Sequence, residues 1–248
     1  SGSSGPVLAG NDRALFASDV HLSEHEPATA AFFLDALARH APQASDLFLL
    51  GDLFDAWVGD DHDDPVARPL VALLRAHVDA GRRVWLMRGN RDFLLDTGHP
   101  TFSDRIGSAM LPDGCVADFF GEPVLLMHGD TLCTDDLDYQ RMRVQMRDPA
   151  WQQDTLAQPV AARLELARRL RAESEHEKQA KSGMLMDANP GEVLRVMREA
   201  GVRRLVHGHT HLPAQHRLDD DGVTRQRWVL PDWDAASGRG GFFVVDRD

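Results

Sequence analysis

Leu49-Leu50-Gly51-Asp52-Leu53-Phe54-Asp55 is the stretch on which the fold turns. The apolar run Leu47 to Leu50 stops at a glycine and an aspartate, as a buried strand does when it delivers one carboxylate at its C-terminal edge. In open α/β sheets that edge is where ligands sit. Outward from this point the same phrase recurs. Residues 14–18 read as a strand followed by Asp19-Val20-His21. Residues 83–88 read as a strand followed by Gly89-Asn90-Arg91-Asp92. Val124 to Met127 runs into His128-Gly129-Asp130, and residues 203–207 run into Gly208-His209-Thr210-His211.

Helices are expected between these strands. One covers Glu26 to His40, with Pro27 in its first turn and Phe33, Leu34 and Leu37 on one face. A second covers Val66 to Asp79, aligns Leu70, Leu73 and His77, and is stopped by Gly81. A third covers Glu192 to Ala200. This rhythm predicts a parallel sheet covered by helices. Cys115 to Phe119 pairs with Val124 to Met127 around Gly121-Glu122-Pro123, and 214–218, 226–230 and 241–246 read as closing antiparallel strands. From Asp136 to about Ala180 the composition shifts to Arg, Gln, Glu and Ala, with Leu156, Val160, Leu164, Ala167 and Leu170 as an apolar stripe. That predicts helices inserted between the halves of the sheet as a cap. Residues 1–10 are expected to be a disordered lead, opening with a linker-like Ser1-Gly2-Ser3-Ser4-Gly5. Residues 11–248 are expected to form one domain, with its cap at about 136–182.

The totals bound the function. Among 248 residues, 43% are hydrophobic and 27% charged, as in ordinary globular proteins. A net charge of −12 argues against a nucleic-acid backbone as partner. No apolar run is long enough for a transmembrane helix. The first residues lack a signal-peptide pattern. Two cysteines, Cys115 and Cys133, make no disulfide framework, which points to the reducing cytosol. The acidic stretch Gly59 to Pro65 reads as a loop, and acids beside histidines in such turns are what cation sites require.

Five clusters follow five strands: Asp-x-His, Gly-Asp-x-x-Asp, Gly-Asn-Arg-Asp, His-Gly-Asp and Gly-His-Thr-His. Each alone is common on surfaces; their order and placement are not. Two-residue spacing in extended chain would put Asp19 with His21, and His209 with His211, on one side. Together the clusters offer carboxylate, imidazole and amide donors. That mixture suits manganese, iron, zinc or cobalt better than calcium or a thiolate zinc site. The glycines are expected to let the chain turn sharply at each strand end.

These motifs resemble the calcineurin-like metallophosphoesterase superfamily. They are closer still to its UDP-2,3-diacylglucosamine diphosphatases of lipid A synthesis. The likeness rests on Ser18 to Leu22, Gly51 to Asp61 with Trp57, Gly89 to Leu94, His128 to Asp136 and His207 to Pro213. It implies a two-sheet α/β sandwich flanked by helices with an inserted helical cap. It implies two divalent metal ions, manganese first, one held by Asp19, His21, Asp52 and His211 and the other by Asp52, Asn90, His128 and His209. Asp52 would bridge them. Asp52, Asn90, Arg91 and His128 would form the catalytic set, with Arg91 clamping phosphate unless it pairs with Asp92. Substrate contacts are implied at Asn90, Arg91, His209, Asp136, Ser174, Lys178 and Lys181. The implied substrate is a UDP-linked diacyl sugar lipid, cleaved by water at its α-phosphorus. The enzyme would be cytoplasmic, peripheral on the inner membrane's cytoplasmic face. The apolar stripe would line a groove for acyl chains, and Arg163, Arg168, Arg169 and Arg171 could touch anionic heads. Leu212 departs from the arginine that such proteins often carry after the last histidine, and the tail Pro231-Asp232-Trp233-Asp234 is compatible with the family without being diagnostic. Two rival readings stand beside this one: another dinuclear phosphodiesterase acting on nucleotides, and a metal-stabilised peripheral lipid-binding protein.

Overall fold

The computed structural model describes residues 5–180 and 187–247, the side chains of 174–180 excepted. In chain order come β1 (Val7–Leu8), β2 (Ala14–Ala17), α1 (Pro27–His40), β3 (Asp46–Leu50), α2 (Ala67–Asp79) and β4 (Arg83–Met87). Then follow α3 (Phe102–Ile106), β5 (Ala109–Leu111), β6 (Cys115–Phe119), β7 (Glu122–Met127), α4 (Leu137–Arg147) and α5 (Pro149–Leu156). The rest are α6 (Val160–Ala180), α7 (Pro190–Glu199), β8 (Arg204–His207), β9 (Ala214–Asp220), β10 (Val223–Val229) and β11 (Phe243–Val245).

Two sheets result, ordered β11-β2-β3-β4-β5 and β1-β6-β7-β8-β10-β9. Period-two alternation in β3 explains why they stack. Leu47 and Leu49 face α1 and α2, meeting Phe33, Leu37, Leu70 and Leu74. Phe48 and Leu50 face the other sheet, meeting Phe119, Leu126 and Val206. A strand apolar on both faces is what a covered parallel sheet demands. Phe16 and Phe48 stack with centroids 4.6 Å apart, and Phe119 lies 5.5 Å from Phe48, so aromatic rings fill the gap between the sheets. On the outer face of the second sheet, Leu125, Met127 and Leu205 bury Val193 and Met197 of α7. The α/β sandwich flanked by helices is the expected architecture.

Several local expectations are corrected. Within the stretch expected to be a disordered lead, Val7 and Leu8 pair in parallel with Asp118 and Phe119, and Leu8 is buried. Pro123 lies inside β7 rather than in the turn. It opposes Asp118, and β7 pairs with β8 only from Val124 onward, so its missing N–H costs no bond on that side. β10 is antiparallel to β9 but parallel to β8. Asp221 and Gly222, with φ of 51° and 82°, form the tight hairpin turn that places it there. The short α3, capped by Thr101, and β5 were not expected.

Candidate metal centre

β2, β3, β4, β7 and β8 end on one side of the sandwich, and their following turns converge. Asp19 N and Val20 N donate to Gly51 O and Asp52 O at 3.1 and 2.9 Å, while Gly208 N donates to His128 O at 2.9 Å. Contrary to the expectation above, the backbone at these two-residue spacings is not extended. Asp19, His21, Asp52, His209 and His211 all sit at φ between 52° and 66°. That left-handed region disfavours side chains other than glycine, and strain of this kind gathers at functional sites. It arises here because adjacent turns bond to one another and bend each chain back on itself. Two glycines are needed for room rather than for rotation. A Cβ at Gly89 would overlap the Asp52 carboxylate, and one at Gly208 would overlap Asp19 and Ser18.

The donors form two groups, Asp19, His21 and His211, and Asp52, His128 and His209, each with ligand atoms within 4.8 Å of one another. In the first, His211 Nε2 lies 3.2 Å and His21 Nε2 3.9 Å from Asp19 Oδ1. Asp52 Oδ2 stands between the groups, 3.8 Å from His21 Nε2 and 3.6 Å from His128 Nε2. Asn90 Oδ1 lies 2.9 Å from both His128 Nε2 and His209 Nδ1. The seven sequence-predicted ligands thus come together.

The electrostatics test whether these residues fit divalent ions. Burial pushes the Asp52 carboxyl up to about 7, with Asp92 and Asp19 adding to the rise against the pull of His128. Burial lowers His21 and His209 to about 3, leaving neutral imidazoles with lone pairs to offer. Burial would lower His128 too, but Asp52, Asp19 and Asp130 raise it to about 9. Asp19 is held well below the carboxylate range: burial opposes this, but its bond to His211 and the neighbouring imidazoles prevail. His21 Nε2 is buried with no hydrogen-bond partner. Crowded carboxylates beside an orphaned imidazole nitrogen match a cage for cations, which would pair with all of them.

The Arg91–Asp92 ion pair is not found among the described residues. Asp92 is fully buried and accepts from Leu53 N and Gly89 N at 2.7 Å and from Asp52 N at 3.2 Å. It clamps the two turns that carry Asp52 and Asn90. Arg91 donates its backbone N–H to Asp52 Oδ1 at 2.8 Å and lends its side chain to the wall of a neighbouring cleft.

That cleft, of about 690 Å³ and open to solvent, runs from Asn90 and Arg91 under the cap helices. Trp57, Phe93, Met142, Trp151, Leu166 and Leu170 line it. The expected stripe holds in part: Ala167 and Leu170 line the cleft, but Leu164 is 45% exposed, and Arg163 and Leu166 take the inward face of α6 in its place. Arg163 is buried, donating to Val58 O at 2.5 Å and to Asp61 Oδ1 at 2.7 Å. Arg171 pairs with Asp55 and Arg168 with Glu165. Arg163 is therefore a pin for the cap, not a lipid-head contact. Of the acids in the loop Gly59 to Pro65 only Asp60 is buried: it accepts from Trp57 Nε1 at 2.8 Å and from Gly98 N and Phe102 N, while Asp61 and Asp63 are exposed.

Asp136 is half-buried and caps α4 through Tyr139 N at 3.3 Å. Lys181 and the side chains of Ser174 and Lys178 lie outside the described residues. Sequence reasoning missed Asp130. Buried behind His128, it accepts from Tyr139 Oη at 2.7 Å and Arg143 Nε at 2.6 Å and so ties α4 to the centre. Its place in His-Gly-Asp was the available signal.

The calcineurin-like phosphoesterase model matches residues 13–213. A protein of Cellvibrio japonicus named UDP-2,3-diacylglucosamine hydrolase is 47% identical over 219 residues, 88% of this chain and 90% of its own length. One of the same name from Bordetella pertussis is 47% identical over 237 residues, covering 94% of this chain and 91% of itself. A third, from Pseudomonas aeruginosa PAO1, is 47% identical over 220 residues, 89% of this chain and 90% of that one.

Proposed function

The chain belongs to the calcineurin-like phosphoesterase family, and from that premise we propose that it hydrolyses UDP-2,3-diacylglucosamine in lipid A synthesis. Water attacks the α-phosphorus, and UMP and 2,3-diacylglucosamine 1-phosphate leave. The name shared by relatives matching most of this chain supports the substrate. One observation carries the chemistry: a single oxygen, Asp52 Oδ2, faces His21 of one donor group and His128 of the other.

Asp19, His21, Asp52 and His211 would hold one divalent ion, and Asp52, Asn90, His128 and His209 the second, with manganese as the proposed metal. Bound there, the pair would supply an acidified water and charge stabilisation at the phosphoryl oxygens. The chain's own residues do the rest. Arg91 presents a planar fork that fits two phosphate oxygens, beside the donors and at the polar end of the cleft. Asn90 lines that end, with His209 Nδ1 2.9 Å from its Oδ1, and the two would orient the pyrophosphate. The departing group is a phosphate ester, so neutralising charge matters more than donating a proton. The cleft takes acyl chain, and its aromatic and thioether lining suits that cargo. Asp136, Ser174, Lys178 and Lys181 are retained as substrate contacts. The cap, at about 136–182, and the sandwich act as one unit.

No helix among the described residues is long and apolar enough to cross a membrane. We propose that the enzyme is cytoplasmic and takes its lipid substrate peripherally at the inner-membrane surface. The test is UMP release from the lipid substrate with manganese, against cyclic AMP as competitor. Release from the lipid alone supports the proposal, and turnover of cyclic AMP alone refutes it. Asp52→Ala should lower UMP release by roughly 10³-fold. A lipid-binding scaffold would release no UMP even as wild type.

A further inference from the structure

The segment after β10 has no part in the chemistry so far, yet it runs across the first donor group. Trp233 N donates to Asp19 O at 3.1 Å. Asp232, 6% exposed, holds Oδ2 at 3.6 Å from His211 Nδ1, while His211 Nε2 faces Asp19. Arg239 grips the same carboxylate with two arms, Nε to Oδ1 at 2.6 Å and Nη2 to Oδ2 at 2.7 Å.

The segment is firmly set. Asp234 N donates to Arg239 O at 2.8 Å and Arg239 N to Asp234 O at 3.0 Å, closing a small hairpin. Trp233 is buried against Phe33 and Phe242, with centroids at 4.9 and 5.2 Å. Gly240, at φ 150°, passes so close to the indole that a Cβ would meet it at 2.6 Å.

An imidazole binds a cation through one nitrogen only if its proton sits on the other, and the group facing that proton decides which. For His128 the deciding group is a backbone carbonyl, Leu50 O, 2.8 Å from Nδ1. For His211 the group on that side is the Asp232 carboxylate, at an ion-pair distance of 3.6 Å. We propose that Asp232 is the positioning residue of His211, holding the proton on Nδ1 so that Nε2 is offered to the cation, with Arg239 aiming the carboxylate. The inference rests on reading His211 as a metal ligand. It makes the C-terminal hairpin part of the first half-site alone.

The test is manganese titration of Asp232→Ala, Asp232→Asn and Arg239→Gln by calorimetry, with thermal unfolding in parallel. Asp232→Ala should weaken one of two manganese sites by roughly 10- to 100-fold and leave the other unchanged. Asp232→Asn, which keeps an acceptor oxygen, should lose less, and Arg239→Gln least. A fall in melting temperature with both affinities within twofold of wild type overturns the proposal. If Asp232→Ala does not fold, the other two variants decide by the same criterion. A wild type that binds no manganese overturns it too. One that binds two ions but releases no UMP refutes only the proposed substrate.

Discussion

The cation groups and the cap cleft share the row of strand ends but are held in opposite ways. Around Asp52 nearly every contact is short, buried and made to backbone: Arg91 N on its carboxylate, Asp92 clasping its turn, and Gly89 pressed against it. Over the cleft the helices are fastened by a few side-chain pins at the rim, Arg163 to Asp61, Arg171 to Asp55 and Arg147 to Gly89 O. A centre that must place charges to within fractions of an ångström uses strained backbone and leaves nothing free to move. The cover over the cleft proposed for acyl chains rests instead on ion pairs and hydrogen bonds from arginine side chains.

Gly89→Ala should break that contrast most sharply. Its Cβ overlaps the Asp52 carboxylate, so metal content and UMP release should fall together, the latter by roughly 10²-fold. Normal turnover with full metal would mean the centre yields as easily as the cap.

A second measurement addresses the scaffold under both regions. His77 of α2 is buried, and both ring nitrogens lack partners. Burial, helped by Arg82, lowers it to about 4. Between pH 6.5 and about 4 the unfolded chain therefore binds the extra proton. Stability from this group is full above pH 6.5 and is lost as the pH falls through that window, by about 3 kcal/mol in all. His77→Leu should flatten the slope in denaturant titrations at pH 7 and 4.5. An unchanged slope would assign the acid sensitivity to the centre instead.

Arg163→Ala should cost about 2–3 kcal/mol by leaving Val58 O and Asp61 without their partner. The signature is a raised KM for long-chain substrate with manganese binding intact. Tyr139→Phe is the mildest probe. It removes one bond to Asp130 and should lower stability by about 1–2 kcal/mol, read from chemical unfolding. If it also strips metal, the two regions are one network rather than two.

The same contrast explains what could be read in the sequence. The strand ends were legible because an apolar run meeting Gly-Asp or His-Gly-Asp records a change of environment that burial imposes. The conformation of those turns was not, because left-handed Asp19 and His211 are produced by bonds between separate turns, which leave no local mark. On α6 the sequence points rightly to Ala167 and Leu170 but wrongly to Leu164, because the inward side there includes Arg163, which counts as polar in any periodicity. Asp232 and Arg239 were illegible since their partner, His211, is reached only through the folded hairpin.

One consequence follows from where the donors lie along the chain. His211 meets Asp19 across 192 positions, and Asp52 and His128 come from segments between them. During synthesis no fragment short of His211 contains the first half-site. A growing polypeptide on the ribosome therefore cannot complete the first donor group until His211 has emerged and folded back on Asp19.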